Sequence, residues 1–175
     1  MKQDMAFTNE SFSFLSRSSD FLNLILNNIN SCVLLLDKDL RLKAYNDALK
    51  TIFSSRKDEN LLYVRCGEAI GCAYHVVEKK DCGSTSKCSD CELRIAALTS
   101  YMKNKVIYKD HIVRPFFTHD NQKVDKHLQF STRLFHFDQE KYVILVIEDI
   151  NRNAMHRVAG ASDVSGARYA SIVKQ

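Results

Sequence analysis

The chain has 175 residues, of which 45% are hydrophobic and 26% are charged, and its formal net charge is +4. This composition is typical of an ordinary globular protein, and the length suits one domain with a core plus tails. The basic residues are dispersed among acidic ones, so the charge pattern gives no reason to expect a nucleic-acid partner. The most apolar stretch, residues 21–36, is interrupted by five asparagine and serine residues, which are costly in hydrocarbon, so no membrane span is predicted. The first ten residues lack the apolar segment of a secretory signal, and we therefore expect a reducing, cytoplasmic compartment.

The first predicted element is a helix. Residues 1–17 have no sustained hydrophobic period and are predicted to be a flexible lead-in, so the folded domain is expected over residues 18–150. Residues 18–20 offer an N-cap and a first-turn acid. The apolar residues that follow fall on one face at helical spacing: Leu22, Ile25, Leu26 and Ile29. Such a face usually packs on its own core, although this one is wide enough for a partner helix.

A hairpin and a second helix are predicted next. Residues 32–36 and 41–45 are separated by a polar, turn-favouring break, and the first strand is expected to be buried on both faces. Asn46 is expected to cap a short helix over residues 47–53. Residues 54–89 show little periodicity, and a loop of this length should be functional or be organised by something other than packing.

Four cysteines in that region have the spacing Cys-x9-Cys-x5-Cys-x2-Cys: Cys72, Cys82, Cys88 and Cys91. A Cys-x2-Cys pair can direct two thiolates at one point, and Gly83 with its small polar neighbours lets the backbone turn the other sulfurs inward. Four thiolates are the ligand set of a closed tetrahedral zinc site or of an iron–sulfur cluster. A metal centre of one of these two kinds is predicted here. His75, three residues after the first cysteine, can replace one thiolate as a zinc ligand.

Other roles for the cysteines stay open. Cys32 precedes a fully apolar run and is predicted to be a small buried hydrophobe, and Cys66 is interpreted in the same way because it lies outside the spacing. Six cysteines would also permit disulfides, which a reducing compartment disfavours. Cys88 and Cys91 have the spacing of a redox pair, but a strand–helix–strand context of the thioredoxin kind does not surround them.

The second half of the chain predicts one helix and three strands. The helix runs from Cys91 to about Met102, so its start carries the last sulfur, where backbone amides favour a thiolate. Strands are predicted over residues 106–117, 126–137 and 142–148, the middle one with a buried and a wetter face. Pro115 is expected near the end or edge of its strand.

This order of elements, together with certain residues, resembles the PAS sensory domain. Residues 21–46 look like the PAS opening helix and hairpin, and residues 142–150 look like its closing strand. Residues 65–72 and 81–91, followed by Arg94, are similar to a cysteine-bearing PAS subgroup found at the input end of bacterial sensor histidine kinases. The resemblance covers about residues 20–150. It implies an α/β (α+β) domain with a five-stranded antiparallel sheet, helices on one side and a Cys-rich insert over about residues 60–92.

The resemblance also implies a role in sensing rather than in catalysis. It maps the cysteine positions of the subgroup onto Cys72, Cys82, Cys88 and Cys91, without deciding between zinc and iron–sulfur. A homodimer and a signalling partner such as a histidine kinase are expected from it. The kinase pattern is lost after residue 150, because His156 is followed by Arg157 and the sequence has no glycine-rich nucleotide loop. Residues 151–175 are therefore predicted to be a linker or a truncated output tail.

Two further classes of function stay open. A structural zinc module could use the apolar face of residues 21–29 for dimerisation or docking, without sensing by the metal. An enzyme would need acid–base residues, and the candidates in the second half are Asp110, His111, His119, Asp120 and His127. Side chains on strand faces and in hairpin loops are more often plain solvated residues, and no catalytic motif accompanies these five.

Overall fold

The structure is a computed structural model that describes residues 19–151. The predicted lead-in, residues 1–17, lies outside the described residues. Residues 152–175 of the predicted tail, among them His156, also lie outside the described residues.

The described residues form five α-helices, a short 3-10 helix over Ser54–Arg56 and five β-strands. The helices are α1 Ser19–Asn28, α2 Ala48–Ile52, α3 Cys66–Ala69, α4 Ala73–Glu78 and α5 Glu92–Lys103. The strands are β1 Cys32–Leu36, β2 Leu42–Tyr45, β3 Ile107–Phe117, β4 Lys123–Phe137 and β5 Glu140–Asp149. The predicted order of elements is confirmed, apart from the helical turns within residues 54–89.

The five strands make one antiparallel sheet in the order β2-β1-β5-β4-β3. β1 and β5, the first and last strands of the described residues, are hydrogen-bonded neighbours at the centre, where Leu34 pairs with Leu145. Pro115 lies on β3, which is an edge of the sheet, and this agrees with its predicted position. No helix within residues 19–151 is long and apolar enough to span a membrane.

The core lies between the inner face of the sheet and the helices. Each strand contributes a buried side chain to it: Leu34, Leu42, Phe116, Phe130 and Leu145. They pack in one cluster with apolar residues of α5: Leu93, Ala96 and Ala97. Val33 and Leu35 on the other face of β1 are only half-buried, so the prediction that β1 is buried on both faces is wrong. The helices cover one face of an antiparallel sheet and leave the second face partly open to solvent.

Asn46 does not cap α2, contrary to the prediction. The residue before that helix is Asp47, and it makes no capping side-chain hydrogen bond. Asn46 is buried and joins three segments: its Oδ1 accepts a hydrogen bond from the Val33 amide at 2.8 Å, and its Nδ2 donates to the carbonyls of Leu26 at 2.7 Å and Ser31 at 2.9 Å. This side chain therefore holds the end of α1 against the first hairpin.

Residues 54–89 are more ordered than their lack of periodicity predicted. They contain the 3-10 helix, α3 and α4, each of six residues or fewer. A helix of less than two turns offers too few positions for a hydrophobic period to be recognised. Isolated helices of this length are unstable in water, so these segments depend on what they pack against.

Replacing Asn46 with Ala is expected to lower the free energy of unfolding by about 2 kcal/mol. The Val33 amide and two carbonyls would lose their partner in a buried place, and an unsatisfied buried polar group costs roughly 1–3 kcal/mol. Urea denaturation followed by circular dichroism measures the change. Asn28→Ala is the matched control, since the exposed Asn28 amide donates to the Leu24 carbonyl of its own helix, and a loss of equal size there would contradict the assignment.

Candidate metal centre

The four spaced cysteines line a single cavity of about 40 Å³. Cys72 immediately precedes α4 and Cys91 immediately precedes α5, while Cys82 and Cys88 lie on the loop between these helices. The predicted position of Cys91 at a helix start is therefore confirmed. The tertiary structure brings together sulfurs that are up to 19 residues apart in the chain.

The cavity opens onto the core face of the sheet. Leu36, Phe116 and Leu145, from β1, β3 and β5, form part of its lining. Cys72 makes an isolated antiparallel bridge with Phe116, and the Phe117 amide donates to the Gly71 carbonyl at 2.8 Å. Gly71 has φ +70°, and a Cβ there would lie 2.5 Å from that of Ser55, so only glycine fits this attachment. The start of α4 is therefore fastened to the edge strand.

Cys88 sits in a turn that directs donors at its sulfur. The Gly83 amide donates to Cys88 Sγ at 3.1 Å, and the Thr85 hydroxyl lies 2.9 Å from the same atom. Partial burial raises the pKa of Cys88. The hydrogen bonds from Thr85 and Gly83 and the positive charge of Arg94 lower it by more, so the net pKa is below that of an ordinary thiol. The loop therefore favours a thiolate at this position.

Cys82 is held against α3. Its carbonyl accepts a hydrogen bond from Arg65 at 2.7 Å, and its amide donates to Glu68 Oε1 at 3.2 Å. A Cβ on Gly67 would lie 2.6 Å from Cys82 Sγ, so the sulfur rests directly on the helix backbone. Burial raises the pKa of Cys82 to about 11, only partly opposed by the Gly67 amide. Without a bound metal ion, the Cys82 sulfur is a neutral thiol at neutral pH.

Cys91 is also buried, and burial raises the pKa of its thiol, while the charge of Arg114 opposes the rise. Arginines lie on two sides of the cysteine cluster. Arg94 and Arg114 belong to the cavity lining, and the guanidinium groups of Arg65 and Arg94 would both lie within 3.3 Å of a Cβ at Gly83. Positive charge is thus placed where thiolates would need it.

Cys66 was not expected at this site. It is buried, as predicted, but it also lines the cavity with the four spaced cysteines. Burial, and then the neighbouring Cys82, raise the pKa of the Cys66 thiol well above the usual range. In the sequence, Cys66 lies six residues before Cys72, inside the stretch 65–72 that carries the resemblance but outside the Cys-x9-Cys-x5-Cys-x2-Cys spacing. Cys32 lies on β1 in the apolar core, as predicted.

His75 lines the same cavity. Its Nδ1 lies 2.7 Å from the Lys80 carbonyl, which can only accept, so Nδ1 carries the proton and Nε2 keeps its lone pair in the neutral ring. Lys79, in the left-handed conformation with φ 52°, makes the turn that presents that carbonyl. A histidine whose second nitrogen donates to a backbone carbonyl has the usual arrangement of a metal ligand. The alternative in which His75 replaces one thiolate therefore stays open.

All six cysteines are free thiols, so none of the disulfides that the count permits is formed. Within residues 19–151, no group of three or more His, Cys, Asp or Glu side chains has the arrangement that a bound metal ion requires. The structure collects the predicted ligands around one cavity with their thiols uncommitted to one another. Their ligation of a metal stays a prediction.

The five residues considered for an enzyme lie elsewhere. His111 Nε2 and His127 Nδ1 are 3.0 Å apart across β3 and β4, and His119 Nε2 lies 2.8 Å from Asp120 Oδ1 in the following turn. None of the five is part of the cavity lining, and all except His127, which is partly buried, are exposed. They have the character of surface polar residues.

No protein-family model matches the chain, and no curated protein matches it. Solved structures do match. The PAS domain of nitrogen regulation protein NR(II) from Vibrio parahaemolyticus is 14% identical, with a TM-score of 0.55 over 75% of this chain and 100% of that one. The PAS domain of a protein from Colwellia psychrerythraea is 9% identical, with a TM-score of 0.50 over 76% of this chain and 99% of that one.

The chain therefore has the PAS fold, and the predicted fold class is confirmed. At these identities the likeness concerns the fold alone. Membership in the cysteine-bearing subgroup stays a prediction, because the likeness to these two structures gives no information about the cysteines.

In metal-free protein, Cys88 is expected to be alkylated before Cys66, Cys82 and Cys91 at neutral pH. The thiolate is the reactive form, and Cys88 has the lowered pKa, whereas burial raises the pKa of Cys66 and Cys82. Limited iodoacetamide treatment followed by peptide mass spectrometry gives the order of labelling. Labelling of Cys66 ahead of Cys88 would show that the hydrogen bonds at Cys88 do not stabilise its thiolate.

Proposed function

We propose that this chain is a PAS signal-sensing module with a metal centre on Cys72, Cys82, Cys88 and Cys91. It relays a redox or small-molecule signal to a partner protein, as part of two-component signalling in the cytoplasm, and has no catalytic role of its own. The observation that carries the proposal is the cavity, since the four spaced sulfurs line one space that opens onto the inner face of a PAS sheet.

The chemistry of the residues fits a cationic centre. Four thiolates around a divalent ion leave a net charge of about −2, which is costly in a partly buried place unless positive groups lie nearby. Arg65, Arg94 and Arg114 provide them. The hydrogen bonds to Cys88 Sγ are also formed in advance, and N–H and O–H donors to a ligand sulfur are typical of the surroundings of bound metals.

The two candidate centres would supply different chemistry: zinc is redox-silent and holds a loop folded, whereas an iron–sulfur cluster changes charge with redox state. In either case the protein residues do the same work. They hold the sulfurs against α3, α4 and α5 and neutralise their charge.

The position of the cavity supports a sensing role. Its apolar lining comes from β1, β3 and β5, so a change in the volume or charge of the centre acts on three strands at once. The last of them ends at Asp149, after which the chain continues into residues 151–175. The proposed receiver is a signalling protein such as a histidine kinase. Support for it comes from the resemblance of residues 65–94 to the input subgroup of such kinases.

Protein purified without oxygen is expected to contain about one metal centre per chain, and the double variant Cys88→Ser with Cys91→Ser is expected to lose it. Removing two of four ligands takes away most of the binding free energy of a thiolate site. Elemental analysis and a visible absorption spectrum make the measurement. Colourless protein with zinc indicates the structural kind of centre, while brown protein with iron and sulfide makes the cysteines the sensor.

Cys32→Ala is the control for this experiment, because it removes a buried sulfur that lies in the apolar core on β1. It should keep its full metal content. If the Cys88→Ser, Cys91→Ser double variant also keeps its full metal content, the assignment of these cysteines as ligands is wrong.

A second candidate is a zinc-stabilised dimerisation module without sensing by the metal. It is favoured by α1, whose apolar side chains Leu22, Leu24 and Ile25 are 46–63% exposed and which buries none of its residues. The proposed occupant of this face is a second copy of the chain, as expected from the PAS resemblance. A helix with an uncovered apolar face typically pairs with another helix.

Replacing Leu22 and Ile25 together with Glu is expected to convert a dimer to a monomer without unfolding the protein. The two charges would be buried in the proposed interface, while in the monomer they remain in solvent. Light scattering coupled to size-exclusion chromatography gives the mass of each form. Dimer formation that survives both charges would place the contact elsewhere.

A further inference from the structure

Arg114 has an unusual position for a charged side chain. It lies on β3, two residues before Phe116, and faces the core side of the sheet with its side chain only 11% exposed. It forms part of the cavity lining together with Cys72 and Cys91. A guanidinium group cannot lose its charge in a protein, so a buried arginine needs negative charge beside it.

The described contacts give Arg114 one carboxylate partner. Its Nη1 lies 2.9 Å from Glu92 Oε2, and the Glu92 side chain is 42% exposed, so much of its charge is screened by solvent. On another side the Arg114 Cζ lies 5.6 Å from the centre of the Tyr74 ring. A phenol ring face attracts a cation but does not neutralise it. Glu92 follows Cys91 directly and Tyr74 is two residues after Cys72, so both contacts of Arg114 come from the first residues of α5 and α4, the helices that these cysteines precede.

We infer that Arg114 is the buried counter-cation of the proposed cysteine centre, a positioning residue whose charge offsets the negative charge of cysteine ligands on a bound metal ion. The inference rests on the proposed function and adds to it the group that determines how tightly the metal is held.

The charge argument gives the direction of the effect. Neutral thiols offer the guanidinium little, whereas thiolates on a metal ion carry the negative charge that its burial requires. Arg114 therefore interacts more strongly with the metal-bound state than with the metal-free state, and this difference appears as metal affinity.

The test is a zinc titration of the metal-free full-length chain against a chromophoric chelator at neutral pH. Arg114→Gln is expected to weaken zinc binding about 10- to 100-fold, the usual effect of losing a group that supports metal ligands. Arg114→Lys should recover part of the loss, because it keeps the charge without the planar guanidinium. Arg133→Gln is the matched control. Arg133 is exposed and pairs with Ile144 on the outer face of the sheet, so its loss should change the affinity by less than about threefold.

A merely structural role for Arg114 would give a different pattern. Arg114→Gln would then lower the melting temperature equally with and without zinc, whereas the inference expects most of the loss when zinc is present. Glu92→Gln provides a second variant that keeps the guanidinium. It should leave zinc affinity unchanged or raise it, since it removes a carboxylate that shares Arg114 with the thiolates. Weakening by Glu92→Gln to the extent of Arg114→Gln would assign the effect to the ion pair and overturn the inference.

Failure of the inference can be separated from failure of the proposed function. A wild-type chain that binds no zinc contradicts the proposed function itself. A wild-type chain that binds zinc, with Arg114→Gln binding equally well, contradicts only the role of Arg114.

Discussion

The attachment of the cysteine-bearing segment to the inner face of the sheet is the constraint on which the rest of this structure depends. α3 and α4 are too short to be stable alone, and they are held by contacts to other elements. The Cys72–Phe116 bridge and the hydrogen bond from Phe117 to Gly71 fasten the start of α4 to β3. Arg65 and Glu68 then fasten the backbone of Cys82 to α3. These few contacts decide where every sulfur lies.

Electrostatics in this segment follow from the same attachment. Burial raises the pKa of the Cys66, Cys82 and Cys91 thiols and makes their thiolates costly. The hydrogen bonds to Cys88 and the arginines act in the opposite direction. Burial thus favours neutral thiols at Cys66, Cys82 and Cys91, and a bound cation would favour the deprotonated form of its ligands.

The PAS sheet forms one wall of the cavity. β5 is central in the sheet and is also the last described strand, so the core side of the cavity and the exit of the chain belong to one element. At the other end, Asn46 fixes α1 to the first hairpin through backbone groups of both. The exposed helix and the cysteine segment are thereby connected through the same sheet.

The sequence by itself determined the order of the elements, the strand alternation and the group of four cysteines. Each of these is a local pattern: Leu128 and Phe130 point inward because side chains alternate along a strand, and Cys91 begins a helix because of the residues that follow it. The tertiary structure alone decided that Cys66 and Arg114 share the cavity with those cysteines, whereas the place of His75 three residues after Cys72 already suggests it as a ligand. It also decided that Asn46 bonds Val33 and Leu26 rather than its own helix. The cavity residues come from α3, α4, α5 and β3, and the partners of Asn46 come from α1 and the first hairpin. Contacts between such separate elements depend on how the elements pack, and no periodicity or residue spacing in the sequence records that packing.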